Sequence, residues 1–213
     1  MAAPARPALA FVLLLAVWLV PCEAPAREWH FDVSVDGIPV GTYDISLQES
    51  GDSRSAKSDM RLGLSLLGFE AGRYEQHAEE SWQADCLTRI DTRTVEKGGV
   101  TTIAGRLEAG GFVVDGPRGQ EQLPRCAMSF AYWNPRVLKQ TNLINVQTGA
   151  WTAVSVQALG QEPYSVRGTP IEASHYRIDT ARNRIEVWYS DTGEWVGLRS
   201  TTRDGHVLAY RLK

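Results

Sequence analysis

The sequence predicts an all-β protein: a single curled antiparallel sheet, an open or half-closed barrel, with one short helix after Asn134. Three observations carry that expectation. Apolar residues recur at every second position through most of the chain, the spacing of half-buried strands. Turn chemistry punctuates those runs at Asp36-Gly37, Gly98-Gly99, Gly110-Gly111, Asp191-Thr-Gly193 and Asp204-Gly205, as antiparallel hairpins require. Gly63 and Gly68 interrupt an apolar strand, which marks strong curvature or a bulge.

The chain starts with a segment that reads as an address. Arg6 precedes the apolar run at residues 9–20 (LAFVLLLAVWLV), and Ala24-Pro25-Ala26 places small residues where signal peptidase cuts. The run is short for a bilayer span. Residues 1–26 are therefore expected to be a cleaved signal peptide and residues 27–213 one exported, soluble, periplasmic β domain. A rival reading makes Leu19-Val20-Pro21-Cys22 a lipobox, with Cys22 lipidated; Pro21 departs from the small residue such a site prefers. No repeat, low-complexity tract or long linker divides the remainder.

Strand by strand, residues 31–35 and 38–47 form the first hairpin around Asp36-Gly37, where Asp-Gly tolerates the positive φ of a primed turn. The polar stretch at residues 49–58 (ESGDSRSAKS) predicts a disordered loop between strands. Met60, Leu62, Leu64 and Leu66 then share one face of a strand. The next strand sorts Arg73, Glu75, His77 and Glu79 onto one face, and Tyr74, Gln76, Ala78, Glu80 and Trp82 onto the other. Residues 126–133 (CAMSFAYW) predict another strand, with Cys126, Met128, Phe130 and Tyr132 on its bulky face and Ala127, Ser129, Ala131 and Trp133 on the other. Asn134 is placed to cap a short helix with Pro135 at its first position, where the missing N–H costs nothing. A closing meander follows at residues 185–189, 195–198 and 207–210.

Composition narrows the function classes. Lys and Arg number 22 against 25 Asp and Glu, a net charge of −3, so there is no basic footprint for nucleic acid. Cleavage would leave Cys86 and Cys126, an even pair that an oxidising compartment joins as a disulfide; two separate buried thiols are the alternative. Closing that loop of about 40 residues stabilises the fold by roughly 3–4 kcal/mol in the chain-entropy picture.

Candidates for chemistry are few. His77 between Glu75 and Glu79 has the chemistry of a general base or a metal ligand, although a solvated strand face has the same pattern. His30, His175 and His206 fall on separate strands without metal-ligand spacing. Phosphate loops, nucleophile elbows and dinucleotide fingerprints are missing from the sequence, so no cofactor and no metal is expected. The tryptophans sit in separate segments rather than in a sugar-stacking row.

Residues 123–135 (LPRCAMSFAYWNP), the opening Asp36-Gly-Ile-Pro-Val-Gly41, the Tyr-x-x-His at residues 74–77, Cys86-Leu87 and Trp188-Tyr189 stand in a fixed order. In these motifs the chain resembles an uncharacterised family of exported bacterial proteins, the domain of unknown function DUF6134. That resemblance implies no catalytic residue. A looser similarity, to periplasmic lipoprotein carriers with a curled sheet, implies a half-barrel that shelters acyl chains. The expectation is thus a non-catalytic binding protein for a lipid or acyl chain, lined by Met60, Leu62, Leu64, Leu66, Met128, Phe130 and Tyr132. Such a site needs a hollow of roughly a few hundred Å³. The competing expectations are an envelope enzyme using His77 on a lipid-type intermediate and an envelope scaffold.

Overall fold

The computed structural model describes residues 26–66 and 69–213, without the side chains of residues 64–71. The signal-peptide and Cys22 readings fall almost wholly outside the described residues, as does Gly68. The side chains of Leu64 and Leu66 are also outside them.

Eight strands form an N-terminal meander: β1 (Arg27–Val35), β2 (Ile38–Ser50), β3 (Ser53–Leu66), β4 (Phe69–Gln83), β5 (Cys86–Glu96), β6 (Gly99–Glu108), β7 (Gly111–Gly116) and β8 (Gly119–Leu123). After a long connection come two short strands, β9 (Asn142–Ile144) and β10 (Trp151–Ala153). A second meander follows: β11 (Ser155–Val166), β12 (Thr169–Asp179), β13 (Asn183–Tyr189), β14 (Trp195–Thr202) and β15 (Val207–Leu212). β15 pairs antiparallel with β1, so both meanders join in one sheet of 13 strands, running from β11 at one edge to β8 at the other. The two edges do not pair, and the sheet stays open.

The turns follow the sequence. Val35 pairs with Ile38 across Asp36 and Gly37, whose φ angles are 49° and 80°; this is the doubly positive turn that Asp-Gly adopts readily and that matches strand twist. The expected disordered loop at residues 49–58 is instead two strand ends joined at Gly51-Asp52, with Ser50 paired to Ser53. Its polar residues follow strand alternation, and Ala56 among them is buried. The β3–β4 register shifts between Leu64 and Ser65, close to the break expected at the glycines.

One face of the curled sheet forms the core. Trp29, Phe31 and Val33 on β1, Ile45 and Leu47 on β2, Ile185, Val187 and Tyr189 on β13, and Tyr210 on β15 are buried there. Charged residues alternate with them on the outer face.

Residues 126–133 are not a strand. They belong to an irregular segment, residues 124–141, that leaves the β8 edge and packs its middle, residues 127–133, inside the curl. Ala127, Met128 and Ser129 are consecutive and all buried, because these three residues are enclosed from both sides; Phe130 and Tyr132 after them reach the surface in part. Its backbone is held by isolated bonds: Leu87 N–H donates to Ala127 O (3.1 Å), Ile144 N–H to Met128 O (2.8 Å) and Phe130 N–H to Ile144 O (3.3 Å). The short helix is present as a 3-10 turn, Pro135–Lys139, capped by the Asn134 side chain, which accepts from Arg136 N–H at 3.1 Å.

Candidate functional site: the chamber beneath the internal segment

The inner faces of β2, β3 and β4 meet the internal segment. Met60 pairs with Tyr43 on one side and Gln76 on the other, and Leu62 with Tyr74, so Met60 and Leu62 face inward. Met128 is fully buried, while Phe130 and Tyr132 are half-buried and pack on the core. Their rings lie 6.0 Å apart. Tyr132 also stands 5.4 Å from Trp195, whose ring in turn lies 4.4 Å from Phe31. The five described residues of the expected lining therefore contribute to one interior, and Cys126 does not: it is exposed in a turn before the segment dives inward.

That interior is filled. The enclosed space left beneath the segment measures about 30 Å³ and is lined by Tyr43, Ile45, Ala56, Ser58, Ala78, Glu80 and residues 129–133, with Val146. It holds about one water. The continuous apolar hollow expected from sequence is replaced by the protein's own residues 127–133. A broad open trough of about 750 Å³ lies on the outer face of β13 and β14, lined by Arg182, Arg184, Arg199 and Arg203 among others; it has none of the expected lining residues.

Glu80 is the group that sequence reasoning missed. It lies on β4 between Ala78 and Trp82, 8% exposed, and its Oε1 has no hydrogen-bond partner. Burial pushes its carboxyl up to about 7, against the opposing pull of the neighbouring Ser129 hydroxyl and Trp82 indole. Neither reaches hydrogen-bond geometry, so the Ser129 Oγ and Trp82 Nε1 are also unpartnered. Among the described residues no lysine, arginine or histidine pairs with Glu80. The sequence signal was available: alternation placed Glu80 on the face of Ala78 and Trp82.

His77 points the other way. It is exposed, with Nδ1 3.0 Å from Asp59 and Nε2 3.7 Å from Glu79, which pairs with Lys57 at 2.9 Å. Glu75 pairs with Arg73 at 3.5 Å. These side chains form a solvated ladder of charges on the outer face. Among the described residues no group of three or more His, Cys, Asp or Glu is arranged to hold a metal ion.

The expected disulfide is formed. Cys86 at the start of β5 is bonded to Cys126, with Cα atoms 4.6 Å apart. It pins the first end of the internal segment to the sheet. Past its far end, beyond β9, the chain is tied back to the sheet by Thr92, whose hydroxyl donates to Val146 O at 2.9 Å, and by Gln147, which donates to the Tyr74 hydroxyl at 2.6 Å. In between, the Tyr189 hydroxyl donates to Tyr132 O at 2.9 Å.

A second cluster on the outer face also escaped the sequence. The Trp188 ring lies between His175 (4.6 Å) and Tyr164 (4.7 Å). Glu162 accepts from Trp188 Nε1 at 2.7 Å and faces His175 Nδ1 at 3.3 Å; Glu186 faces His175 Nε2 at 3.4 Å and is held by Arg199 at 2.6 Å. A Cβ at Gly197 would collide with the Tyr164 ring, so only glycine lets that ring lie on β14. The cluster clasps the β11–β12 hairpin to the rest of the sheet.

An open antiparallel sheet curled around an inward-running segment, stapled by one disulfide, defines a β-barrel-like protein. The chain belongs to the family described as Domain of unknown function (DUF6134), whose model matches residues 31–213. No curated protein matches it. Among solved structures it is similar to a β-barrel-like protein of domain of unknown function DUF1849 from Brucella abortus, at 12% identity, covering 88% of this chain and 95% of that one with a TM-score of 0.65. At that identity the likeness is one of fold.

Proposed function

We propose that the protein is an exported, non-catalytic binding protein for an apolar molecule such as a lipid or acyl chain, with residues 127–133 occupying the ligand's seat in the empty state. The observation that carries this reading is the poor fit of the seat's present occupant. The Glu80 carboxyl, the Ser129 hydroxyl and the Trp82 indole N–H lie close together, buried and without a protein partner in hydrogen-bond geometry, and a buried polar group left so costs about 1–3 kcal/mol. A segment fixed by isolated bonds over that site is displaced at lower cost than any strand of the sheet. Phe130 and Tyr132, both partly at the surface, mark the route of access. Apolar contact would supply the binding energy, at roughly 25 cal/mol per Å² buried.

Export to the periplasm is part of the same reading. The disulfide supports it, and no described helix is long and apolar enough to cross a membrane. The placement of His77 on the solvated face gives the enzymatic alternative no enclosed site.

The test is direct. Protein purified from periplasm is extracted with organic solvent and the extract examined by mass spectrometry, and binding of octanol is followed by calorimetry. Phe130→Ala, which opens the route, is expected to bind octanol more tightly than the parent. An absence of retained lipid together with no octanol binding by either protein would overturn the reading.

A further inference from the structure

The chamber beneath the internal segment is unusual in its chemistry. A buried carboxyl without a cation is costly, because the low-dielectric interior does not solvate the charged form. Around this one stand Tyr43, Phe130, Tyr132 and Trp133, whose ring faces carry partial negative charge. Ser58 and Ser129 add hydroxyl oxygens to the same lining, that of Ser129 being unpartnered. Acceptors and π faces around an uncompensated carboxylate are the features by which aromatic cages recognise ammonium groups.

We infer that the Glu80 chamber is the head-group subsite for an amphiphile bearing an ammonium group, whose nitrogen would sit between the Glu80 carboxylate, the Ser129 hydroxyl and the surrounding rings. This rests on the proposed apolar-ligand reading and adds the chemical class of the head. The void of about 30 Å³ admits a group the size of a water or ammonium before any wall moves. The alkyl tail would follow the path now filled by Phe130 and Tyr132.

The other titratable groups lining the void are Tyr43 from β2 and Tyr132 from the internal segment; β3 contributes only Ser58 and Ala56, and β4 only Ala78 beside Glu80. Burial raises both phenols above their ordinary value, so they stay neutral wherever Glu80 ionises. Ammonium binding therefore strengthens as pH rises through the neutral range, where Glu80 loses its proton, and a neutral ligand shows no such gain.

The experiment compares octylamine, octanol and octanoate on the purified protein by calorimetry at pH 6 and pH 8. Octylamine is expected to bind on the order of tenfold or more tighter than octanol at pH 8, a gain within the range of desolvated cation–π and charge-paired contacts. That advantage is expected to shrink at pH 6 and to vanish in Glu80→Gln, while octanol binding persists. Ser129→Ala should reduce it partly. Equal binding of octylamine and octanol at both pH values, or an advantage that survives Glu80→Gln, overturns the subsite and leaves the apolar reading standing. If none of the three probes binds, both fall.

Discussion

Replacing Glu80 by glutamine isolates the energetic consequence of burying an acid without a partner. Its carboxyl is raised from an ordinary 4.5 to about 7, so the folded protein holds a proton that the unfolded chain releases between those two pH values. Below pH 4.5 both states are protonated and stability is unaffected by this group. Between 4.5 and 7 the unfolded state binds fewer protons, and stability falls as pH rises. Above 7 both states are ionised, and the loss is complete. Each tenfold change in proton affinity is worth about 1.4 kcal/mol, so the loss amounts to about 3 kcal/mol. Glutamine keeps the shape and removes the titration. In urea unfolding across pH 4 to 8, the parent and Glu80→Gln stabilities are expected to converge near pH 4 and separate toward pH 8, the variant being the more stable. All other titrating groups are common to both proteins and cancel in the difference. Parallel curves over the whole range would refute the reasoning.

Reduction of Cys86–Cys126, or its replacement by serines, is expected to lower stability by about 3–4 kcal/mol, seen as a fall in Tm with reductant for the parent and none for the double variant. Gly197→Val drives a side chain into the Tyr164 ring and is expected to cost about 1–3 kcal/mol, with loss of Tyr164–Trp188 stacking visible in near-ultraviolet circular dichroism. His206 has its pKa raised by the Asp36 carboxylate 2.8 Å from its Nδ1. Asp36→Asn should return it toward the ordinary value in an NMR titration.

The meander, the hairpin turns, the capped turn after Asn134 and the disulfide pair were readable in the sequence, because each depends on neighbours in the chain or on cysteine count. The segment at residues 126–133 was not. Alternation sorts residues between a wet face and a dry one, and this segment, packed inside its own sheet, does not keep to that rule; its small Ala127 and Ser129 are buried like Met128, while the larger Phe130 and Tyr132 reach the surface in part. The polar stretch at residues 49–58 misled for the opposite reason, since strands on an outer face are polar too. Glu80 stood on the correct face in the sequence pattern, yet an acid in a strand ordinarily faces water, and only the buried neighbours on β3 and the internal segment reveal its setting. The clasp of Glu162, Tyr164, His175, Trp188 and Arg199 is assembled from four strands, and the closeness of those residues depends on strand register and on the β-bulge between Ala158 and Gly160.

Amide hydrogen exchange measures most directly whether the chain's own segment is a replaceable occupant of the curl. The amides of Phe130 and Ile144, bonded across the internal segment, are expected to exchange through a local opening well below the free energy at which Phe31, Ile45 and Val187 exchange on the core strands. Octanol should displace the segment and speed them further. Exchange of all five at the same free energy, unchanged by octanol, would show that residues 127–133 are permanent core and contradict the account.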